Sequence, residues 1–188
     1  MLRKIKTQEQ LRKKNRRDQL FIGVIMIALL TVSTLGYSLI SGDANNGGSA
    51  SKNELGIEFI RENGMWKTTI AEETFAFQNL PSEISNVTTN GSFDFKIYPD
   101  KPLYFINPGV GASEILSNIG RYVLRSQQAC LENTTCEGDF PIKDCDSNLI
   151  IFEIGNETKV YQDKGCVYIS GDVIKGADAF LYKVLGVN

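Results

Sequence analysis

Hydrophobic positions change rhythm along this chain, and each change predicts a different element. From Leu20 to Ile40 (LFIGVIMIALLTVSTLGYSLI) no charged residue interrupts the apolar run. At about 1.5 Å per residue such a helix crosses the roughly 30 Å hydrocarbon core of a bilayer. Residues 19–41 are therefore expected to form one transmembrane helix. The next stretch, 42–54, is rich in Gly, Ser, Ala and Asn with no large apolar side chain. It cannot bury enough surface to offset ordering, which predicts a flexible linker.

From residue 55 the rhythm becomes that of a folded domain extending to 188. Gly56–Ile60 and Met65–Ile70 flank Asn63-Gly64, a hairpin signal, and Thr74–Phe77 continues the series. Residues 79–92 have loop composition. Phe93–Tyr98 alternates apolar and polar, predicting a half-buried strand, and Leu103–Ile106 another. Apolar residues at Ile115, Leu116, Ile119, Tyr122 and Val123 follow helical spacing, so one helix is expected over 112–129 with Ser113 as N-cap. Leu149–Ile154 is a buried-strand run, and Asp163-Lys164-Gly165 joins two more strands as a hairpin. A last helix follows Gly171, capped by Asp172 and stopped at Gly186. The expected fold class is α/β: an N-terminal transmembrane helix followed by a mixed-sheet α/β sandwich with two helices packed on the sheet.

Charge sharpens the topology. The net charge of -2 over 188 residues is an average. Residues 1–18 hold eight Lys or Arg and two acids, whereas the chain from Gly42 onward holds 12 basic and 20 acidic residues. A basic head directly before an apolar span stays cytoplasmic under the positive-inside rule, which sets the acidic domain outside the membrane. A cleavable signal peptide also starts basic, but its apolar region is about 7–15 residues and ends in a small-x-small site. Here the run is longer and Gly48-Ser49-Ala50 lies well beyond it, favouring an uncleaved signal anchor. A pilin-like leader fits poorly, since Arg17-Asp18-Gln19 lacks a Gly before the cut. The head adjoins the span, so no nucleic-acid partner is needed to explain it. The bilayer is the partner implied, with attraction to anionic lipid heads.

The chain contains no histidine. Ser-His-Asp and Cys-His nucleophilic sites, HExxH metal sites and Cys/His zinc fingers are thereby excluded. The four cysteines, Cys130, Cys136, Cys145 and Cys166, all fall in the outer domain, which favours two disulfides. Of three possible pairings, the preferred one staples Cys130 to Cys136 and ties Cys145 to Cys166. Their spacing, without a CxxC pair, suits zinc poorly. Four N-x-S/T sequons, at Asn86, Asn90, Asn133 and Asn156, agree with an outside location and make the domain a candidate glycoprotein.

Other motifs carry weaker chemistry. Gly109-Val110-Gly111 before a helix has the look of a phosphate turn, but Glu114 stands where the third glycine would be, so a tight strand-to-helix turn is expected. Asp144-Cys145-Asp146-Ser147-Asn148 opens like a calcium loop, yet position six is Leu149 and position twelve Gly155, which excludes an EF-hand. With Glu137 and Asp139 nearby, a weak calcium contact is the alternative. Glu153, alone in its strand, and Asp94 are candidate acids without a partner in the sequence. Trp66, Phe75, Phe77 and Tyr104 are expected in the core rather than on a sugar platform. No catalytic residue, cofactor or metal ligand is assigned.

The succession of AC, a second Cys, PIKDC, LIIFEI, NETKV, GCVYISGD and ADAFLYKVLG from Ala129 onward resembles a group of uncharacterised single-pass membrane-anchored surface proteins of small-genome archaea, a resemblance covering roughly residues 93–188. That resemblance implies an archaeal cell-surface setting and no activity. The functional expectation is a non-catalytic interaction or structural component of the cell envelope with an unknown envelope partner. The alternative is an extracytoplasmic carboxylate-dependent hydrolase or small-ligand-binding domain, which paired carboxylates lining one cleft would favour.

Overall fold

The computed structural model describes residues 25–26, 50–132 and 134–187. The basic head, nearly all of the expected membrane span, most of the linker and the sequon residue Asn133 lie outside the described residues. Ile25 and Met26 are helical. Among the described residues no helix is long and apolar enough to cross a membrane. All the others belong to one compact unit, Ser49–Asn188.

Four antiparallel strands come first: β1 (Ser51–Glu54), β2 (Ile57–Glu62), β3 (Met65–Ile70) and β4 (Glu73–Phe77), paired in chain order. β1 occupies the end of the stretch expected to be linker, because its backbone pairs with β2 in register from Ser51 opposite Ile60. At the β2–β3 turn Asn63 and Gly64 take φ of 52° and 82°, the left-handed pair that a two-residue hairpin requires. A strap, Gln78–Ser82, leads into a 3-10 turn at Pro81–Ile84 and on to the second sheet.

That sheet has six strands in the order β5-β11-β12-β10-β6-β7. Its members are β5 (Thr88–Asn90), β6 (Pro102–Ile106), β7 (Arg125–Gln128), β10 (Leu149–Glu153), β11 (Lys159–Asp163) and β12 (Cys166–Ser170). β7, β6, β10 and β12 run parallel, while β11 is antiparallel to β12. A small ladder, β8 (Cys130–Leu131) with β9 (Ile142–Lys143), lies in the cysteine-bearing loop. Helices α1 (Val110–Ile119) and α2 (Val173–Val184) complete the unit.

Alternation along the six-stranded sheet creates two cores. Leu103, Phe105, Ile150, Phe152, Val160 and Ile169 share one cluster with both helices and with Phe59, Trp66, Phe75 and Phe77 of the four-stranded sheet. The helices thus lie between two sheets, and α2 is buried along most of its surface. Tyr104, Leu149, Ile151 and Cys166 point the other way, into a smaller cluster covered by Leu131 and Cys145. Mixed α/β architecture with two helices on the sheet agrees with expectation; the second sheet over the helices is additional.

Two elements differ from the sequence reading. The helix expected over 112–129 ends at Ile119, and Arg125–Gln128 instead forms an edge strand beside β6. Gly120 leaves the helix, while Tyr122 and Val123 still pack on the core, so their helical spacing is incidental. Its N-cap is Gly109 rather than Ser113. Phe93–Tyr98 is not a strand, and Phe95–Ile97 within it is a 3-10 turn: the Asp94 carboxylate accepts from Lys96 N at 2.9 Å, and Tyr98 is buried with Phe93 and Phe95 packed beside it. Packing of three aromatics against the core overrides their period of two.

Candidate functional site

Because β6, β10 and β12 are parallel, their C-terminal ends meet at one edge of the sheet, the place where open α/β sheets present ligand crevices. Ile106 ends β6 and Asn107 follows it, Glu153 ends β10 with Ile154 and Gly155 beyond, and Gly171 follows β12. Opposite them stands the loop closed by the Cys130–Cys136 disulfide, contributing Leu131 and Thr135. The groove between encloses about 810 Å³, inside the range of roughly 300–1,000 Å³ usual for ligand pockets.

Its chemistry is mostly apolar. Ile106, Ile151 and Phe152 line it, and Ile154 on its rim is fully exposed. The polar groups are largely engaged: Asn107 Nδ2 donates to Phe152 O at 3.3 Å and Thr134 Oγ1 to Leu131 O at 2.7 Å. Glu153 is the one carboxylate among the described residues lining it. Its Oε2 accepts from the Tyr161 hydroxyl at 2.9 Å. Burial, followed by that hydrogen bond and the Glu153 charge, pushes the Tyr161 phenol up to about 12. At the end of β10, Glu153 and Tyr161 thus form one carboxylate–phenol pair.

The remaining sequence candidates are scattered. Asp94 is exposed and spent on its cap. Asp144 Oδ1 accepts from Asp146 N at 3.3 Å, Cys145 is disulfide-bonded to Cys166, and Asn148 Nδ2 donates to Ile97 O at 2.9 Å. That segment is a turn anchored to its surroundings, and no cluster of three potential metal ligands occurs among the described residues. Trp66, Phe75, Phe77 and Tyr104 are all buried. Gly111 supports close packing: a Cβ there would stand 2.6 Å from the Phe152 ring and 2.8 Å from Val173 O. Asn86, Asn90 and Asn156 are exposed to solvent.

What the sequence did not reveal is a buried acidic pair. Glu114 of α1 and Asp178 of α2 are buried at 4% and 0% exposure. Gln78 Nε2 donates to Glu114 Oε2 at 2.9 Å, and Asn79 donates through both its backbone N and Nδ2 to Asp178 Oδ2 at 2.8 Å. Glu114 Oε1 and Asp178 Oδ1 have no donor. Burial first, and the neighbouring Glu114 charge against the opposing Asn79 bonds, push the Asp178 carboxyl up to about 7. Neither acid lines the groove described above. The available signal was positional: each acid falls on the apolar stripe of its helix, Glu114 beside Ile115 and Asp178 between Ala177 and Phe180.

Comparison of the chain with protein families, with curated proteins and with solved structures finds no match.

Proposed function

We propose that this chain is a single-pass, N-in/C-out membrane protein whose outer domain is a non-catalytic interaction or structural component of the cell envelope. One contrast carries the reading: the carboxylates that stand together, Glu114 and Asp178, are sealed in the core, whereas the open groove holds Glu153 alone among apolar side chains. Such a surface suits a partner's apolar side chains better than bond hydrolysis. The two disulfides fit an oxidising compartment. The uncharged run at residues 19–41 supports membrane anchorage, and the basic head supports the orientation. The resemblance to archaeal surface proteins is consistent with that setting, and exposed Asn86, Asn90 and Asn156 are available to glycosylation there.

A photo-crosslinking residue at Ile154, compared with one at Lys96 on the exposed turn, tests the interaction in intact cells. The expected result is a discrete envelope adduct from position 154 and none from 96. Equal labelling from both, or none from either, sinks the reading. Protease treatment of intact cells tests topology: the outer domain is expected to be digested before the membrane is opened.

A further inference from the structure

The strap Gln78–Ser82, the chain's passage between its two sheets, is held by carboxylates from four elements. Glu114 of α1 takes Gln78, Asp178 of α2 takes Asn79, and Glu83 of the 3-10 turn accepts from Leu80 N at 2.8 Å. Glu54 of β1 accepts from Ser82 N at 2.9 Å and from its hydroxyl at 2.7 Å. Tyr182, one turn beyond Asp178, donates to Asn79 O at 2.7 Å. Two atoms in this assembly, Glu114 Oε1 and Asp178 Oδ1, are buried without a donor. An unpaired buried carboxylate oxygen is costly, and two facing acids resolve the cost when one keeps its proton.

We propose that Asp178 and Glu114 form a proton-operated clamp: a proton on Asp178 Oδ1 is donated to Glu114 Oε1, joins α1 to α2 beneath the strap, and its loss to solvent frees the strap. Groups facing Asp178 agree with this. Glu114 is the charged neighbour on α1, and the strap offers only the amides of Gln78 and Asn79. Glu54 and Glu83 add negative charge at Tyr182 on the same helix. β11 and β12 contribute Val160, Val167 and Ile169 to this interior, all apolar. Nothing among these groups compensates a second buried negative charge.

The sign follows from linkage. Asp178 binds its proton more tightly folded (about 7) than in the ordinary state (3.8), so closure is favoured at acid pH and weakens as pH rises between those values. In that window the open population is expected to grow roughly tenfold per pH unit and to level off above about pH 7. Backbone hydrogen exchange at Asn79 and Leu80, measured on the full chain in detergent micelles and corrected for intrinsic rates, reads this directly. Exchange at Ile150 in the six-stranded sheet is the control. The expected result is a steep rise at the strap between pH 5 and 7, absent at Ile150, and flattened in Asp178→Asn, whose amide donates at every pH. Glu114→Gln, which removes the neighbouring charge, is expected to shift the rise to lower pH, and it decides the matter where Asp178→Asn does not fold. A pH-independent strap, an equal rise at Ile150, or variants that leave the profile unchanged would each overturn the clamp.

Discussion

Asn118 grips both backbone groups of Ala76: its Oδ1 accepts from Ala76 N, and its Nδ2 donates to Ala76 O, each at 2.8 Å. β4 has no strand on its outer side, and an exposed edge invites pairing with other chains. Here α1 covers that edge, with Arg121 adding a bond to Thr74 O at 3.2 Å. Asn118 is 1% exposed, so water cannot substitute for it. Asn118→Leu would leave the half-buried N–H and C=O of Ala76 unpaired, at up to about 1–3 kcal/mol for each group. A loss of about 3 kcal/mol is expected in denaturant unfolding, with greater self-association at the freed edge detectable by sedimentation. An unchanged midpoint would show that the edge does not depend on α1.

Gly111 tests how α1 meets the sheet. A methyl group at this position would stand 2.6 Å from Phe152 and 2.8 Å from the Val173 carbonyl, the latter part of the first turn of α2. Neither can yield without moving a core ring or a helix end. Gly111→Ala is expected to destabilise the domain by about 1–3 kcal/mol, although alanine is the better helix former. An increase in stability on denaturant titration would mean that propensity outweighs packing.

Local signals were legible where local chemistry decides the structure. Asn63-Gly64 and Lys164-Gly165 announced hairpins through their left-handed backbone, and Asp172 announced α2 through its cap on Ile174 N and Lys175 N. The edge strand β7 was hidden because Tyr122 and Val123 prolong the helical period beyond Gly120. Its four residues are all exposed, so no apolar pattern marked them. The disulfide partners were suggested by element order: Cys145 precedes β10 and Cys166 begins β12, its neighbour in the sheet. The groove could not be read at all, since it arises where strands distant in sequence end side by side. Glu114 and Asp178 were concealed by the usual rule that charge faces water; their burial depends on the strap that meets them.

Tyr161 offers a pH readout at the groove. Burial, the hydrogen bond to Glu153 and that residue's charge all favour the protonated phenol, so its contribution to stability is present below pH 10 and is lost as pH climbs toward about 12. Glu153→Gln removes the charge while keeping an acceptor. The Tyr161 midpoint is expected to move down toward 10, seen as an earlier rise in ultraviolet tyrosinate absorbance that Tyr161→Phe abolishes. Tyr104 differs: the hydrogen bond from Arg125 holds its phenol below the ordinary value. If the alkaline absorbance profile is the same in Glu153→Gln and the parent chain, Glu153 does not govern this site.

The two disulfides are expected to separate under mild reduction because their settings differ. Cys136 is exposed, whereas Cys166 is fully buried with Cys145 beside it on the outer face of the sheet. Attack on a disulfide requires a thiolate to reach a sulfur, so access sets the order. Native-state reduction followed by alkylation and peptide mass mapping is expected to label Cys130 and Cys136 first, with Cys145 and Cys166 labelled only in denaturant. The first bridge, which holds the wall of the groove, closes a separation of only six residues; the second spans 21. On loop entropy the contributions are about 2 and about 3 kcal/mol. Cys130→Ser with Cys136→Ser should therefore leave the fold intact at a cost of about 2 kcal/mol and weaken partner crosslinking at Ile154. Cys145→Ser with Cys166→Ser should lower global stability, since it also opens a buried site between β10 and its neighbour. Simultaneous labelling of all four cysteines would show that the sheet offers Cys166 no protection.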